Sequence, residues 1–358
     1  MDKKRLILCG FGNVGRAFAR LLIQKDGYLK QRYGLSLELA AMVDIGGAAI
    51  AEDGGLPIVP LLSHVEKGGS VETFPAFGRP GMTGVYAIRN GNFGVLIEAT
   101  PSNLATGEPG RAHIIAALDK GMDIASANKA PLVLFFKELH ELARARGSRI
   151  SMSAAAAAAL PSLDIGLISL AGSKVLSLEG ILNGTTNYIL TRMHREACSY
   201  DEALKAAQEM GIAETDPSLD VKGWDTRNKL LLIANRLFEE DLTLDDVAVT
   251  GITDITRDDI KTAQSQGKIL KLVGTARTDD NQVMLRVGPE ALDKEHPLAH
   301  VDYAEKALTY ETDTMGRITV TGGKSSPVGA AAALLKDMIN AFVPGGTPAG
   351  FREGWHEI

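Results

Sequence analysis

The sequence predicts an α/β protein in which a doubly wound parallel sheet is followed by a second domain of the α+β class. Through the first 150 residues, apolar runs of strand length alternate with helical segments. This alternation is the order of a parallel sheet with right-handed crossovers. A glycine-rich turn, Gly10-x-Gly12-x-x-Gly15, lies between the first strand and the first helix. After residue 150 the pattern changes, so we expect domains at residues 1–150 and 151–311.

The elements of the first domain follow from apolar runs and the residues that end them. Strands are predicted at residues 5–9, 37–43, 85–89, 94–98 and 123–127. Helices are predicted at residues 16–24, at 111–120 and after Pro131. Between Asp44 and residue 85, a stretch rich in glycine and proline is expected to form loops.

The second domain is predicted to begin with a strand at residues 149–153 and an alanine-rich turn at 154–159. Ser199 and Glu202 have the spacing of a capping box, which starts a helix that Gly211 ends. Further helices are predicted after Leu160-Pro161 and at residues 187–196, 224–238 and 330–341. Strands are predicted at residues 175–183 and in shorter runs up to residue 320.

Composition excludes several classes of protein. The chain has 358 residues, 45% of them hydrophobic and 23% charged, which is ordinary globular usage and excludes disordered and fibrous classes. No apolar run reaches the ~18–20 residues of a membrane-spanning helix. The net charge of −6 opposes binding to nucleic acid or to acidic membranes. Cys9 and Cys198 are too few for a disulfide framework or a cysteine-based zinc site, and the histidines lack metal-ligand spacing. We therefore expect a cytoplasmic enzyme that acts on a small molecule and has no metal site.

The glycine turn fits a dinucleotide-binding fingerprint of the Rossmann type. The first glycine permits the tight turn, the second lets the backbone approach a pyrophosphate, and the third lets helix and strand pack closely. The predicted cofactor-binding residues here are Gly10, Phe11, Gly12, Asn13, Val14 and Gly15. Asp44 ends the next strand, where its carboxylate would bind a ribose diol and repel a 2′-phosphate. This favours NAD, but Arg or Lys residues from elsewhere could reverse the preference, so NAD and NADP both remain open.

Two further segments follow predicted parallel strands, at the sheet edge where ligands bind. Ala99, Thr100 and Pro101 come directly after Glu98, and Asn128 with Lys129 follows the next strand. We assign Ala99, Thr100, Pro101 and Asn128 to the cofactor. Lys129 could orient a carboxylate or carbonyl group, although position alone allows a solvated surface lysine equally well.

The second domain contributes two polar clusters. Asn183, Gly184 and Thr185 lead from a strand into a helix, where backbone N–H groups and hydroxyls suit a substrate carboxylate. Asp225 and Lys229 are four residues apart and share a helix face, close in sequence to Glu214 and Asp220. Such a pair is usually an exposed ion pair. The carboxylates crowded near one lysine favour an alternative, an amine that passes a proton to a carbonyl oxygen while hydride arrives at carbon.

With these residues in place, the chain resembles the homoserine dehydrogenase family over nearly its full length. The family's signature matches at Ala207, Gly211, Asp216-Pro217, Asp220, Gly223, Asp225 and Lys229. The segments 180–190 and 127–129 also look like those of the family. The resemblance implies NAD(P)-dependent interconversion of L-aspartate 4-semialdehyde and L-homoserine in threonine and methionine synthesis. It also implies a homodimer built through the sheet of the second domain.

The resemblance also implies roles for individual residues. Lys229 would give the proton to the aldehyde oxygen, and Lys129 would be a second catalytic lysine. Glu214 and Asp225 would bind the substrate's amino group and reacting hydroxyl region, with Asp220 in support, and Thr185 with the neighbouring backbone would hold the α-carboxylate. The C-terminal segment, about residues 312–345, would return to complete the cofactor domain, and Gly322 would be one of the cofactor-binding residues.

Three features depart from the family pattern. Ser153 stands where the family has a glutamate that is a ligand of a sodium ion, and alanines 154–159 replace the rest of that segment, including its two glycines, so bound sodium is doubtful. The segment 322–327, with Lys324, differs from the usual glycine-rich version. The chain also ends soon after its last helix, so we expect a short form without the C-terminal regulatory domain.

Two alternatives to homoserine dehydrogenase activity stay open. One is a related dehydrogenase of another amino-acid aldehyde, which the altered alanine segment would permit. The other is a cofactor-binding paralogue without catalysis, which the presence of Lys129, Asp225 and Lys229 disfavours.

Overall fold

The computed structural model describes residues 2–280, 282–323 and 325–343. These residues form two compact units. Of the described residues, the first unit contains those up to Ala155 and those from Ser326 to Val343, and the second contains those between Ala156 and Ser325. None of the helices in the described ranges is long and apolar enough to cross a membrane.

The strands of the described residues range from two residues in β7 to twelve in β10 and β11. In chain order they are β1 (Asp2–Cys9), β2 (Leu35–Asp44), β3 (Gly47–Ile50), β4 (Gly78–Pro80), β5 (Val95–Glu98), β6 (Asp123–Ser126), β7 (Ile150–Ser151), β8 (Val175–Ile181), β9 (Val247–Val249), β10 (Lys268–Asp279), β11 (Gln282–Asp293), β12 (Lys306–Thr312) and β13 (Arg317–Gly322).

The helices range from single turns to the 21 residues of the first. In chain order they are α1 (Asn13–Tyr33), α2 (Ile58–Glu66), α3 (Gly84–Asn90), α4 (Gly110–Asp119), α5 (Lys129–Leu134), α6 (Phe136–Arg146), α7 (Ser153–Ala156), α8 (Ser162–Asp164), α9 (Gly184–Glu196), α10 (Tyr200–Glu209), α11 (Ser218–Val221), α12 (Trp224–Phe238), α13 (Arg257–Ser265) and α14 (Pro327–Phe342). A π-helical turn, Ile165–Ser169, extends α8.

The first unit is built on a doubly wound sheet. Within the described residues, seven strands lie in the order β4-β3-β2-β1-β5-β6-β7. The strands from β2 to β7 in this order are parallel, while β3 and β4 are added antiparallel at one edge. Residues 6–9 of β1 are fully buried, as a central parallel strand covered on both faces must be. The predicted fold class of this part is confirmed.

Helices α1 and α14 pack together against one face of this sheet. Phe18 and Leu22 of α1 share a core cluster with Leu334 and Met338 of α14 and with Leu8 of β1. Helix α4 instead packs with α3 and α6 and contacts β5 and β6. The segment from Ser326 is therefore an integral part of the first unit, although it follows the second unit in sequence.

The second unit is an α+β unit. Its strands in the described residues lie in the order β13-β12-β8-β10-β11-β9, and most neighbours are antiparallel. Helix α12 packs on strands of this sheet, and its bounds are those that the apolar periodicity predicts. Helix α9 begins directly after β8, because the Asn183 side chain accepts a hydrogen bond from the Thr186 N–H and caps the helix.

Several predicted elements are wrong in type or extent. Residues 85–89 are helical rather than extended, since the Thr83 hydroxyl caps α3 by accepting from the Tyr86 N–H. The stretch predicted as loops contains β3, α2 and β4. The alanine run opens as helix α7 and then turns, with Ala158 at a left-handed φ of 53°.

The predicted return of residues 312–345 to the first unit needs correction. Residues 312–325 belong to the second unit, because β13 pairs along its whole length with β12. The return begins at Ser326, whose side chain caps α14. The division between the units also lies at Ala155/Ala156, five residues after the predicted position.

Candidate active site

The first unit has a cavity of about 930 Å³ at the carboxyl ends of its central strands. The chain leaves β1 on one side toward β2 and returns on the other side at β5, so the cavity lies at a topological switch point. The predicted cofactor residues that line it are Gly10, Phe11, Gly12, Asn13, Val14, Asp44, Ala99, Thr100 and Pro101.

Each of the three glycines of the turn occupies a position where a side chain would have a different physical effect. Gly10 has a φ of 94°, and a Cβ there would lie 2.4 Å from the Ala99 carbonyl oxygen. A Cβ on Gly15 would lie 2.1 Å from the Gly10 carbonyl oxygen. A Cβ on Gly12 would meet no atom within 4 Å. Gly10 and Gly15 are therefore required by packing, whereas Gly12 leaves open space beside the cavity.

The start of α1 suits an anion. Its N-cap, Gly12, supplies no side-chain cap, so the first-turn N–H groups are left for a ligand at the positive end of a 21-residue helix. Together with the open space beside Gly12, this cradle fits the pyrophosphate of a dinucleotide.

Charges of both signs line the same cavity. Asp44 is the last residue of β2, and Arg16 lies in the first turn of α1 with its Nε donating to the Phe11 carbonyl, 3.0 Å away. The carboxylate suits a ribose diol, and the guanidinium could accommodate a phosphate. The cavity is thus compatible with NAD or NADP.

Three residues assigned to the cofactor from the sequence do not line this cavity. Gly15 packs against the Gly10 carbonyl, and Asn128 is buried, donating from Nδ2 to the Thr100 hydroxyl at 3.0 Å. Gly322 ends β13 in the second unit. Lys324 lies outside the described residues.

The sequence reasoning missed several lining residues, among them Arg16, Met82, Thr83, Glu108 and His113. Arg16 could have been found, because it directly follows the last glycine of the fingerprint. Met82 and Thr83 lie in the stretch taken for loops. Glu108 and His113 reach the cavity through the loop after β5 and the first turn of α4, which no local pattern indicates.

One buried trio has the donor types of a metal site. Atoms of Cys9, Glu98 and His113 lie within 4.8 Å of one another. Burial, followed by the charge of Glu98, raises the pKa of the Cys9 thiol well above its ordinary value, whereas a metal requires the thiolate. The Glu98 carboxylate already accepts hydrogen bonds from Thr100 and faces Nδ1 of His113. This arrangement favours a hydrogen-bond network over an ion.

The second unit brings Lys229 and Asp225 together in a partly buried pair. The Lys229 ammonium donates to Asp225 Oδ2 at 2.5 Å and to the Leu182 carbonyl at 2.9 Å. The two side chains are only 14% and 11% exposed, so the pair differs from an ordinary surface ion pair. Leu182, which the sequence reasoning did not single out, contributes through its backbone alone.

Asn183 joins this pair to a second carboxylate. Its Nδ2 donates to Asp220 Oδ1 at 2.6 Å and to Asp225 Oδ2 at 2.9 Å. Its Oδ1 accepts from the Thr186 N–H at the start of α9. One amide therefore fixes both the helix start and the two carboxylates near Lys229.

Thr185 and Glu214 have other surroundings. The Thr185 hydroxyl donates to the Ile212 carbonyl at 3.1 Å, which ties α9 to the segment after α10. Gly184 and Thr185 also occupy the first turn of α9, where N–H groups have no intrahelical acceptor. Glu214 is exposed, and Gln208 holds this segment by donating to the carbonyls of Glu214 and Thr215.

Lys129 opens helix α5 in the first unit. Its N–H donates to the Ser102 hydroxyl at 3.1 Å, and the preceding Asn128 caps the helix. The backbone of Lys129 is thus held by the loop that lines the dinucleotide cavity.

A carbonyl of the alanine segment accepts a hydrogen bond from the ammonium group of a buried lysine, which the sequence did not predict. Lys306 of β12 is 1% exposed, and its ammonium donates to the Ala157 carbonyl at 2.9 Å. Ser153 is held instead by α14, through Asp337 and Lys336.

These features define an NAD(P)-dependent oxidoreductase, with a dinucleotide cavity in one unit and a lysine–carboxylate cluster in the other. The family model for homoserine dehydrogenase matches residues 161–339. The homoserine dehydrogenase of Methanocaldococcus jannaschii is 37% identical over 94% of this chain and 98% of its own length. The NAD(+)-dependent homoserine dehydrogenase of Pseudomonas canavaninivorans is 32% identical over 95% of this chain and 96% of its own length. The chain belongs to the homoserine dehydrogenase family.

The solved structures agree with this assignment. A putative homoserine dehydrogenase from Archaeoglobus fulgidus superimposes with a TM-score of 0.84 at 31% identity, covering 96% of this chain and all of that one. A hyperthermophilic archaeal homoserine dehydrogenase in complex with NADPH has a TM-score of 0.81 at 22% identity and shares the fold.

Two glycine substitutions should separate coenzyme binding from folding. Gly12→Val places a side chain in the open space beside the cavity, so we expect at least tenfold weaker NADH or NADPH binding with little change in unfolding temperature. Gly15→Ala forces a Cβ onto the Gly10 carbonyl, so we expect destabilisation of about 1–3 kcal/mol. Fluorescence titration and thermal unfolding measure the two effects. Unchanged coenzyme affinity in Gly12→Val would place the pyrophosphate elsewhere.

Proposed function

We propose that this chain catalyses the NAD(P)-dependent interconversion of L-aspartate 4-semialdehyde and L-homoserine, a step toward threonine and methionine. The observation that carries the proposal is the Lys229 ammonium, held by Asp225 and the Leu182 carbonyl in a chain of this family. A lysine oriented in this way can supply the proton that aldehyde reduction requires.

Lys229 is the proposed proton donor. When the aldehyde is reduced, the coenzyme held at the dinucleotide cavity would supply the hydride that the carbonyl carbon receives. The carbonyl π electrons move to oxygen, and the oxygen takes a proton from the Lys229 ammonium. Asp225 stabilises the ammonium before transfer and holds the amine in place afterward, and in the reverse direction the neutral amine accepts the proton.

The substrate's charged ends match the groups around this cluster. We assign its α-carboxylate to the first-turn N–H groups of Gly184 and Thr185, supported by the helix dipole of α9. The Thr185 hydroxyl is engaged with Ile212, so Thr185 would act through its backbone. We assign the substrate ammonium to Glu214, with Asp220 and Asn183 fixing the carboxylates beside Lys229.

Lys129 is the proposed second catalytic lysine, which orients the substrate. Support comes from its place at the carboxyl edge of β6 and from the anchoring of its N–H by Ser102.

The main test is turnover of purified protein with L-aspartate 4-semialdehyde and NADH or NADPH, and with L-homoserine in reverse. Lys229→Met should lower kcat by about 10²–10⁴-fold, because it removes the general acid while keeping an unbranched side chain. Lys205→Met is the matched control. It makes the same replacement in a second lysine–carboxylate i,i+4 pair, Lys205 with Glu209. That pair is exposed to solvent, whereas Lys229 and Asp225 are mostly buried. Rapid turnover in Lys229→Met would refute the proton-donor assignment.

Asp44 is expected to influence coenzyme choice. Asp44→Asn removes the charge that repels a 2′-phosphate, so we expect the ratio of kcat/KM for NADPH to that for NADH to rise at least tenfold. Steady-state kinetics with both coenzymes measure this ratio. If the ratio stays within twofold of wild type, another group sets the preference, and Arg16 is the first to replace.

We also propose a homodimer formed through the sheet of the second unit. Leu176 on β8 and Met284 on β11 are 39% and 64% exposed, so this sheet presents apolar surface that a second copy could cover. Sedimentation analysis should show twice the chain mass, and replacing Met284 with Lys should shift it toward the monomer. A monomer in the wild type would contradict the proposal.

A cytoplasmic location is proposed from the thiols. Cys9 and Cys198 are both unpaired, which is the usual state in a reducing compartment. Cell fractionation tests this assignment, and recovery of the protein from an extracytoplasmic fraction would refute it.

A further inference from the structure

A buried carboxylate lies beside the dinucleotide cavity, at the carboxyl end of β5. Glu98 is 0% exposed, and its Oε1 accepts from the Thr100 N–H at 2.9 Å and from the Thr100 hydroxyl. Its Oε2 lies 2.9 Å from Nδ1 of His113, a residue of α4 that lines the cavity. Both carboxylate oxygens are therefore bound to residues of the cavity wall.

A second set of hydrogen bonds connects this carboxylate to the helix that carries Lys129. Asn128 Nδ2 donates to the Thr100 hydroxyl at 3.0 Å, while its Oδ1 accepts from the Ala130 N–H at 3.2 Å. The same Oδ1 accepts from the Ser102 hydroxyl at 2.9 Å, and that hydroxyl accepts from the Lys129 N–H at 3.1 Å. The cavity wall and the first turn of α5 thus belong to one network.

Two glycines leave the room that this network needs. A Cβ on Gly84 would lie 2.3 Å from Nε2 of His113, and a Cβ on Gly110 would lie 2.5 Å from Nδ2 of Asn128. These glycines begin helices α3 and α4. The imidazole and the amide are therefore packed directly against backbone, which restricts both to one orientation.

Packing alone does not account for a carboxylate in this position. A buried carboxylate loses its hydration, and an apolar side chain of similar size would fill the space without that loss. The carboxylate provides a hydrogen-bond acceptor that an apolar side chain lacks. It connects the loop after β5 to helix α4 directly, and it connects both to helix α5 through Thr100 and Asn128.

We propose that Glu98 and His113 are positioning residues. They hold residues 100–102 at the cavity wall and, through Asn128, hold the first turn of α5 so that Lys129 has one fixed backbone position. The effect on the coenzyme rests on the geometry of the first unit, and the effect on turnover also rests on the proposed function.

The test compares two replacements of His113. His113→Leu removes the ring nitrogen that faces Glu98 Oε2 and puts an apolar side chain of similar size in its place, whereas His113→Gln offers an amide donor to the same carboxylate. Kinetics at saturating substrates give kcat, and quenching of nicotinamide fluorescence gives the Kd of the reduced coenzyme. Thermal unfolding gives the folded fraction, to which the rates are normalised.

We expect His113→Leu to lower kcat at least tenfold and to raise the coenzyme Kd at least threefold. His113→Gln should return both values to within about threefold of wild type. Equal losses in the two variants would overturn the proposal, because the ring and not the hydrogen bond would then matter. Wild-type values in His113→Leu would overturn it as well.

A control and a second variant complete the test. Glu138→Gln breaks the exposed pair between Arg111 of α4 and Glu138 of α6, so it perturbs the same helix away from the network and should leave kcat and Kd unchanged. If His113→Leu does not fold, Asn128→Ser keeps a side-chain acceptor to cap α5 but removes the Nδ2 donor that joins this helix to Thr100 and Glu98. The same losses are then expected, and wild-type kinetics would overturn the proposal.

The design also separates failure of this proposal from failure of the proposed function. A wild-type protein that binds coenzyme but turns over neither substrate would refute the function. The Kd comparison between the leucine and glutamine variants would still decide whether Glu98 and His113 hold the cavity wall.

Discussion

The contact of Gly10 with the Ala99 carbonyl is the constraint on which the rest of the first unit depends. The turn after β1 and the turn after β5 approach too closely for a Cβ to fit between them. This approach sets the start of α1 at the switch point and brings Thr100 beside the coenzyme cavity. Gly15 extends the same constraint, since it places α1 directly on the Gly10 carbonyl.

The two lysine-bearing sites share one construction. In each, an asparagine caps a helix with its Oδ1, while its Nδ2 donates either to a carboxylate or to a hydroxyl that is itself bound to a carboxylate. Asn128 does this at α5 with Thr100, and Asn183 does it at α9 with Asp220 and Asp225. An aspartate could cap either helix but could not donate, so the amide is the group that couples the helix start to the acidic residues.

Local patterns predicted the parts of the structure that local forces determine. The glycine fingerprint, the end of β2 at Asp44 and the full extent of α12 follow from short-range sequence. Residues 85–89 were predicted wrongly because Val85, Tyr86 and Ile88 favour strands, while the Thr83 cap makes them helical. The pair of Glu98 with His113 could not be predicted, because it depends on how α4 returns to β5. The place of residues 312–325 likewise depends on the pairing of β13 with β12.

The discontinuous first unit has a consequence for biosynthesis. Helix α14 supplies Ala331, Leu334 and Met338 to the core that α1 and β1 share, yet 170 residues separate Ala155 from Ser326. At a synthesis rate of about 5–20 residues per second, the ribosome needs roughly ten to thirty seconds to make that interval. During this time Phe18 and Leu22 lack the helix that covers them. The nascent N-terminal segment therefore keeps an apolar surface uncovered during this interval, while the contiguous second unit can complete its own core first.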